Sequence, residues 1–96
     1  MSLVEPISLG QVVESIAGRD RHEVYLVVAY QEPYLLVANG RQRSVRAPKK
    51  KNKRHVRAYK WIFEPVRDAL EADGNVSDEQ IRAGLKTLCS DHMIRK

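Results

Sequence analysis

The sequence predicts a mainly β fold, a small barrel of about five strands followed by one or two C-terminal helices. Three observations carry that prediction. The first 63 residues break into short β-branched and aromatic runs separated by turn-forming residues. From Glu64 onward the apolar residues recur at helical spacing instead. The length, 96 residues, matches one domain with a small core. The expected organisation is a barrel over residues 1–63 and a helical extension over residues 64–96, packed on the barrel or following it.

Taken in order, LGQVVES reads as the first strand, and IAGRDR as a turn in which Gly18 permits a positive φ. EVYLVVAY has the composition of a strand buried on both faces. QEP interrupts it, and YLLVA is the next strand. Asn39-Gly40 follows directly, a strong type I′ hairpin signal, so RQRSVR is expected to pair back as an exposed strand. Pro48 ends that strand, KKKNKR is expected to be a loop, and HVRAYKWIF a last strand with Val56, Ala58 and Lys60 on one face. Pro65 suits the first turn of a short helix that Gly74-Asn75 ends. Ser77 with Gln80 three residues on is a capping box. It opens a second helix, whose stripe of Ile81, Leu85 and Leu88 is expected to pack on the rest of the fold.

The charge is unevenly spread. The net charge is +5, but residues 1–32 hold five acids against two bases, and residues 64–96 hold seven acids against five bases. Between them, NGRQRSVRAPKKKNKRHVRAYKW contains ten Lys or Arg residues and no acid. A central basic run flanked by predicted strands is anchored at both ends. Its complement is an anionic partner, nucleic acid first and an acidic membrane surface second. Arg41, Arg43 and Arg46 carry planar forks that match phosphate bidentately and stack on bases. Lys49, Lys50, Lys51 and Lys53 read as mobile point charges that supply affinity with little sequence choice. Arg54 and Arg57 continue the run. Tyr59 and Trp61 are candidates either for base stacking or for packing between barrel and helices.

The pieces Leu9-Gly10-Gln11-Val12-Val13, Ala17-Gly18-Arg19-Asp20, Tyr25–Val28, Ala38-Asn39-Gly40-Arg41 and Pro48-Lys49-Lys50-Lys51 occur in an order and spacing that resembles the KOW-domain family of RNA-binding proteins. More closely, the chain is similar to small bacterial KOW proteins related to large-subunit ribosomal proteins of archaea and eukaryotes. The similarity spans roughly residues 9–57, and DEQIRAGLKTL resembles the C-terminal helix of those proteins. It implies an SH3-like barrel that contacts ribosomal or other structured RNA through the Gly18–Arg21 loop and neighbouring basic loops. The expected RNA-binding residues are then Gly18, Arg19, Arg21, Arg41, Arg43, Arg46, Lys49, Lys50, Lys51, Lys53, Arg54 and Arg57. Where many KOW motifs have a second loop glycine, this chain has His22.

The remaining residues offer no chemistry of their own. His22, His55 and His92 show no ligand spacing and Cys89 stands alone, so neither a metal nor another cofactor is expected. There is no phosphate-cradling glycine motif and no nucleophile elbow, so no enzyme activity is expected. A single cysteine and the lack of a signal-peptide pattern fit a cytoplasmic protein. The leading expectation is a non-enzymatic, ribosome-associated RNA-binding protein, with RNA and ribosomal proteins as partners and neither a membrane nor a small-molecule substrate. The alternatives are a protein-interaction module of the transcription or translation machinery, using the barrel or the last helix, and a DNA-binding protein.

Overall fold

Five strands form one antiparallel sheet in the order β4-β3-β2-β1-β5 in the computed structural model, which describes residues 6–91. The strands are β1 (Gln11–Ser15), β2 (Val24–Gln31), β3 (Tyr34–Ala38), β4 (Lys49–Asn52) and β5 (Val56–Ile62). A single 3₁₀ turn, Lys53–His55, links β4 to β5, and α1 (Glu64–Ala72) and α2 (Asp78–Asp91) complete the chain. The fold is the small, mainly β, barrel-like unit with two C-terminal helices that the sequence predicts. Its sheet curls but does not close, because no ladder joins β4 to β5. Residues 1–5 and 92–96, the outer ends of the two predicted segments, lie outside the described residues, as does His92.

The sheet has two covered faces, which explains why Val24 to Val28 are all buried. Along β2, alternate side chains go to opposite sides. Val24, Leu26 and Val28 join Val12, Ala38, Val66, Ile81, Leu85 and Cys89 between sheet and helices. Tyr25 and Val27 join Val13, Leu35 and Val37 in the concave interior, with Val56, Ile7 and Leu9 at its margin. The α2 stripe packs as expected: Ile81 is fully buried, Leu85 nearly so, and Leu88 partly. Each fully buried aliphatic side chain contributes about 1.5–3 kcal/mol. The capping box also forms. The Gln80 amide N–H donates to the Ser77 hydroxyl, and the Gln80 side-chain oxygen accepts from the Ser77 amide.

Two local expectations fail, both in the basic run. RQRSVR is not a strand and Asn39-Gly40 is not the centre of a two-residue hairpin. The Asn39 side chain accepts from the Arg41 and Arg43 amides, while the Asn39 and Gly40 amides both donate to the Arg43 carbonyl. That curls the chain on itself. Asp78 of α2 then takes the Val45 amide at 2.7 Å and the Ser44 hydroxyl at 2.8 Å. The backbone of this segment is thus held by a side chain and a helix rather than by a strand. The second failure is its mirror: the lysine run is not a loop. Lys49 to Asn52 pair with Val37 to Tyr34 as edge strand β4. Low strand propensity is overridden there by the ladder, and lysine on an edge discourages pairing with another chain.

Candidate nucleic-acid interface

The β1–β2 loop and the β3–β4 connection lie at the same end of the sheet. β1 and β2 meet there through the Ser15 amide on the Glu23 carbonyl, and β3 ends there with Ala38 opposite Leu26. This end collects Arg19 and Arg21 from one segment and Arg41 and Arg43 from the other, all exposed. The loop is also tied to the 3₁₀ turn, since the Ile16 amide donates to the His55 carbonyl at 3.0 Å. Exposed Arg54 sits in that turn and exposed Arg57 just after it on β5.

What fixes the loop is Asp20, the inward-facing one of its two acids, Glu23 being exposed just before the start of β2. Its carboxylate faces inward with 12 % side-chain exposure. One oxygen accepts from the Ser15 hydroxyl at 2.8 Å and from Lys51 Nζ at 3.1 Å. The other accepts from the Tyr25 hydroxyl at 2.6 Å and lies 3.3 Å from Lys49 Nζ. Burial alone would raise the pKa of this carboxyl. The hydrogen bonds from Tyr25, Ser15, Lys51 and Lys49 outweigh that effect and hold it far below the usual carboxylate range. Burial, together with the same contact, pushes the Tyr25 hydroxyl well up. Asp20 therefore stays an anion, and its charge is cancelled from within by the two lysines.

This alters the roles of the lysines expected to be mobile. Lys51 is 7 % exposed and donates to Ser15, Ala17 and Asp20, so its three N–H groups are all used inside the fold. It is a buried structural cation, because strand alternation turns residues 49 and 51 inward. Lys49 is half-buried on Asp20. Lys50 faces outward over the Tyr34 ring, 5.1 Å from its centre. Lys53 pairs with Glu32 at 2.7 Å.

The arginines divide as well. Arg57 stands opposite Glu14 on β1. Glu14 accepts a hydrogen bond from the Tyr59 hydroxyl, which more than any other contact lowers its carboxyl pKa. Arg46 lies close enough to Asp78 to add to the lowering of that acid, led by the Val45 amide. Among the described residues, the ion pairs take in no side chain of Arg19, Arg21, Arg41, Arg43 or Arg54.

Gly18 has φ +87, as a turn at this place requires, and a β-carbon there would meet nothing closer than Asp20 at 3.6 Å. Its constraint is conformational, not steric. His22 also lies in the left-handed region, at φ 80. A non-glycine residue rarely adopts it, so the place where the resemblance has a glycine keeps a glycine-like backbone. The His22 ring is exposed and sits 3.3 Å from Glu14. Tyr59 and Trp61 stack on each other, centres 4.8 Å apart, and pack against the helix-side core. Sequence reasoning missed Arg82 and Lys86, four residues apart on α2, which line a groove with Arg41. Their spacing places them on one helix face, but only the fold brings them to the arginine turn.

No protein-family model matches the chain, and no curated protein matches it either. Among the described residues no group of three or more His, Cys, Asp or Glu is placed to hold a metal ion, and no helix is long and apolar enough to cross a membrane.

Proposed function

We propose that this protein is a non-enzymatic RNA-binding protein of the KOW type, associated with the ribosome, that docks structured RNA on the basic end of its barrel. One observation carries the reading. Asp20 of the loop is neutralised from inside by Lys49 and Lys51, while Arg19, Arg21, Arg41 and Arg43 stay exposed beside it and, among the described residues, outside the ion pairs. Arginine forks on a short, pinned loop suit phosphate and unstacked bases. Lys50, Arg54, Arg57 and Lys53 extend the positive field along the edge strand and the 3₁₀ turn. The interior Lys51 adds no contact but fixes the loop.

RNA binding measured against salt is the test. With about four to six phosphates neutralised, log K falls against log salt with a slope of roughly −3 to −5. The purified protein also carries nuclease-sensitive absorbance at 260 nm and sediments with ribosomes at moderate salt. A flat salt dependence and clean absorbance would leave the protein-interaction reading in place instead.

A further inference from the structure

We infer that RNA bound at the barrel end continues onto α2 through the groove between that helix and the Asn39–Gln42 turn. This rests on the RNA-binding reading and adds a second contact region to it. The groove holds about 750 Å³ and has Val24, Leu85 and Cys89 among its lining residues. Arg41 stands on the turn side, and Arg82 and Lys86 stand on the helix side. Arg82 also joins the two walls, donating from Nη1 to the Gly40 carbonyl at 2.6 Å. Gly40 makes that approach possible, since a β-carbon there would lie 2.6 Å from the Asp78 carbonyl oxygen. The groove is thus a built feature, held by a hydrogen bond and a glycine.

Two arguments select a sugar-phosphate backbone as the occupant. The first is continuity: Arg41 belongs both to the basic end and to the groove, and Glu23 follows directly on the His22 loop. A strand seated on Arg19 and Arg21 has the groove as its neighbour. The second is charge. Three cations face two acids, Glu23 and Glu79, in a helical region that is otherwise acidic. Phosphates spaced along a strand select the cations and avoid the acids, so removing an acid should tighten binding.

The experiment uses the full chain and a fluorescein-labelled RNA hairpin with a single-stranded tail, titrated by anisotropy at several salt concentrations. Lys86 is exposed and in no ion pair among the described residues, so Lys86→Ala leaves folding untouched. The expected result is an affinity loss of about threefold or more at low salt and a salt slope shallower by about 1. Glu23→Gln is expected to tighten binding and steepen nothing. Arg19→Ala with Arg21→Ala serves as the reference for the barrel end. If that pair weakens binding while Lys86→Ala leaves affinity and slope unchanged, the groove inference is overturned and the barrel-end reading survives. A groove reserved for a protein partner gives that same result. If the parent protein does not bind the hairpin at all, both readings fall.

Discussion

Asp20→Asn is the sharpest test of how the loop is held. The substitution keeps the side-chain volume and removes the charge. It also replaces one acceptor oxygen by an N–H₂ group facing hydroxyl and ammonium donors. Lys51, 7 % exposed, is left without its counter-ion. Breaking a buried pair from one side costs about 3–5 kcal/mol. Lys49 is more exposed and can turn to water, so the lower end, about 3 kcal/mol, is expected. A domain of this size has only about 5–14 kcal/mol in total. Urea unfolding at neutral pH should show the loss as a lower midpoint with an unchanged slope. Acid adds a second readout. The folded-state pKa of Asp20 is depressed, so its contribution is complete above the unfolded value, about 3.9, and is lost as pH falls through the folded value. The gap between parent and variant should therefore be widest near neutrality and shrink below about pH 4. Adding Lys51→Met should cost less than the sum of the single changes by about 1 kcal/mol or more. A single-variant loss under about 1 kcal/mol, or a gap that stays constant down to about pH 2, would refute the pairing argument.

Three further predictions separate architecture from contact. Gly18→Ala meets only an ordinary contact with Asp20 at 3.6 Å and suffers its positive φ, a cost of about 1 kcal/mol, and RNA affinity measured well below the melting temperature should drop more than for Arg19→Ala. Gly84→Ala instead drives a β-carbon to 2.5 Å from the Phe63 ring, so about 1–3 kcal/mol of stability is lost with RNA affinity unchanged. Arg41→Lys with Arg43→Lys keeps the charge and removes the forks. It should weaken structured RNA more than a single-stranded homopolymer, and equal affinity for both would make these arginines generic cations.

The parts of the fold legible in the sequence were those governed by local patterns. The unbroken apolar run at Val24 to Val28 announced a strand covered on both faces, and Ser77 with Gln80 announced a helix start. The curl after Ala38 was not legible in this way. Asn39-Gly40 is compatible with a hairpin, and what decides against it is Asp78, more than thirty residues later, taking the Val45 amide. The β4 strand was hidden for a related reason. Four residues of Lys and Asn carry no apolar alternation, and their pairing is imposed by Leu35 and Val37 across the ladder. Within the candidate site, exposure of the loop arginines followed from their solvent-seeking character. The groove with Arg82 and Lys86 needed the packing of α2 on the sheet.

A run of positive charge in a sequence therefore joins side chains with different tasks, and strand alternation is what sorts them. In β4 the ammonium groups of residues 49 and 51 point to Asp20 while residue 50 points away. Neutralising Lys49, Lys50, Lys51 and Lys53 together would thus measure two things at once. The Lys51 share would appear as lost stability and a loosened Gly18 loop, and any loss of RNA affinity would be read wrongly as lost phosphate contacts. Lys50 and Lys53 are the lysines whose removal tests charge alone, because neither is buried and the Lys53–Glu32 pair is exposed, where such pairs are worth little. The same reasoning gives Lys51 its functional weight. By holding Asp20, it keeps Arg19 and Arg21 on a short, fixed loop, so in the RNA-binding reading proposed above less conformational freedom would be lost when they meet phosphates. A buried cation can in this way raise affinity for an anion it never touches.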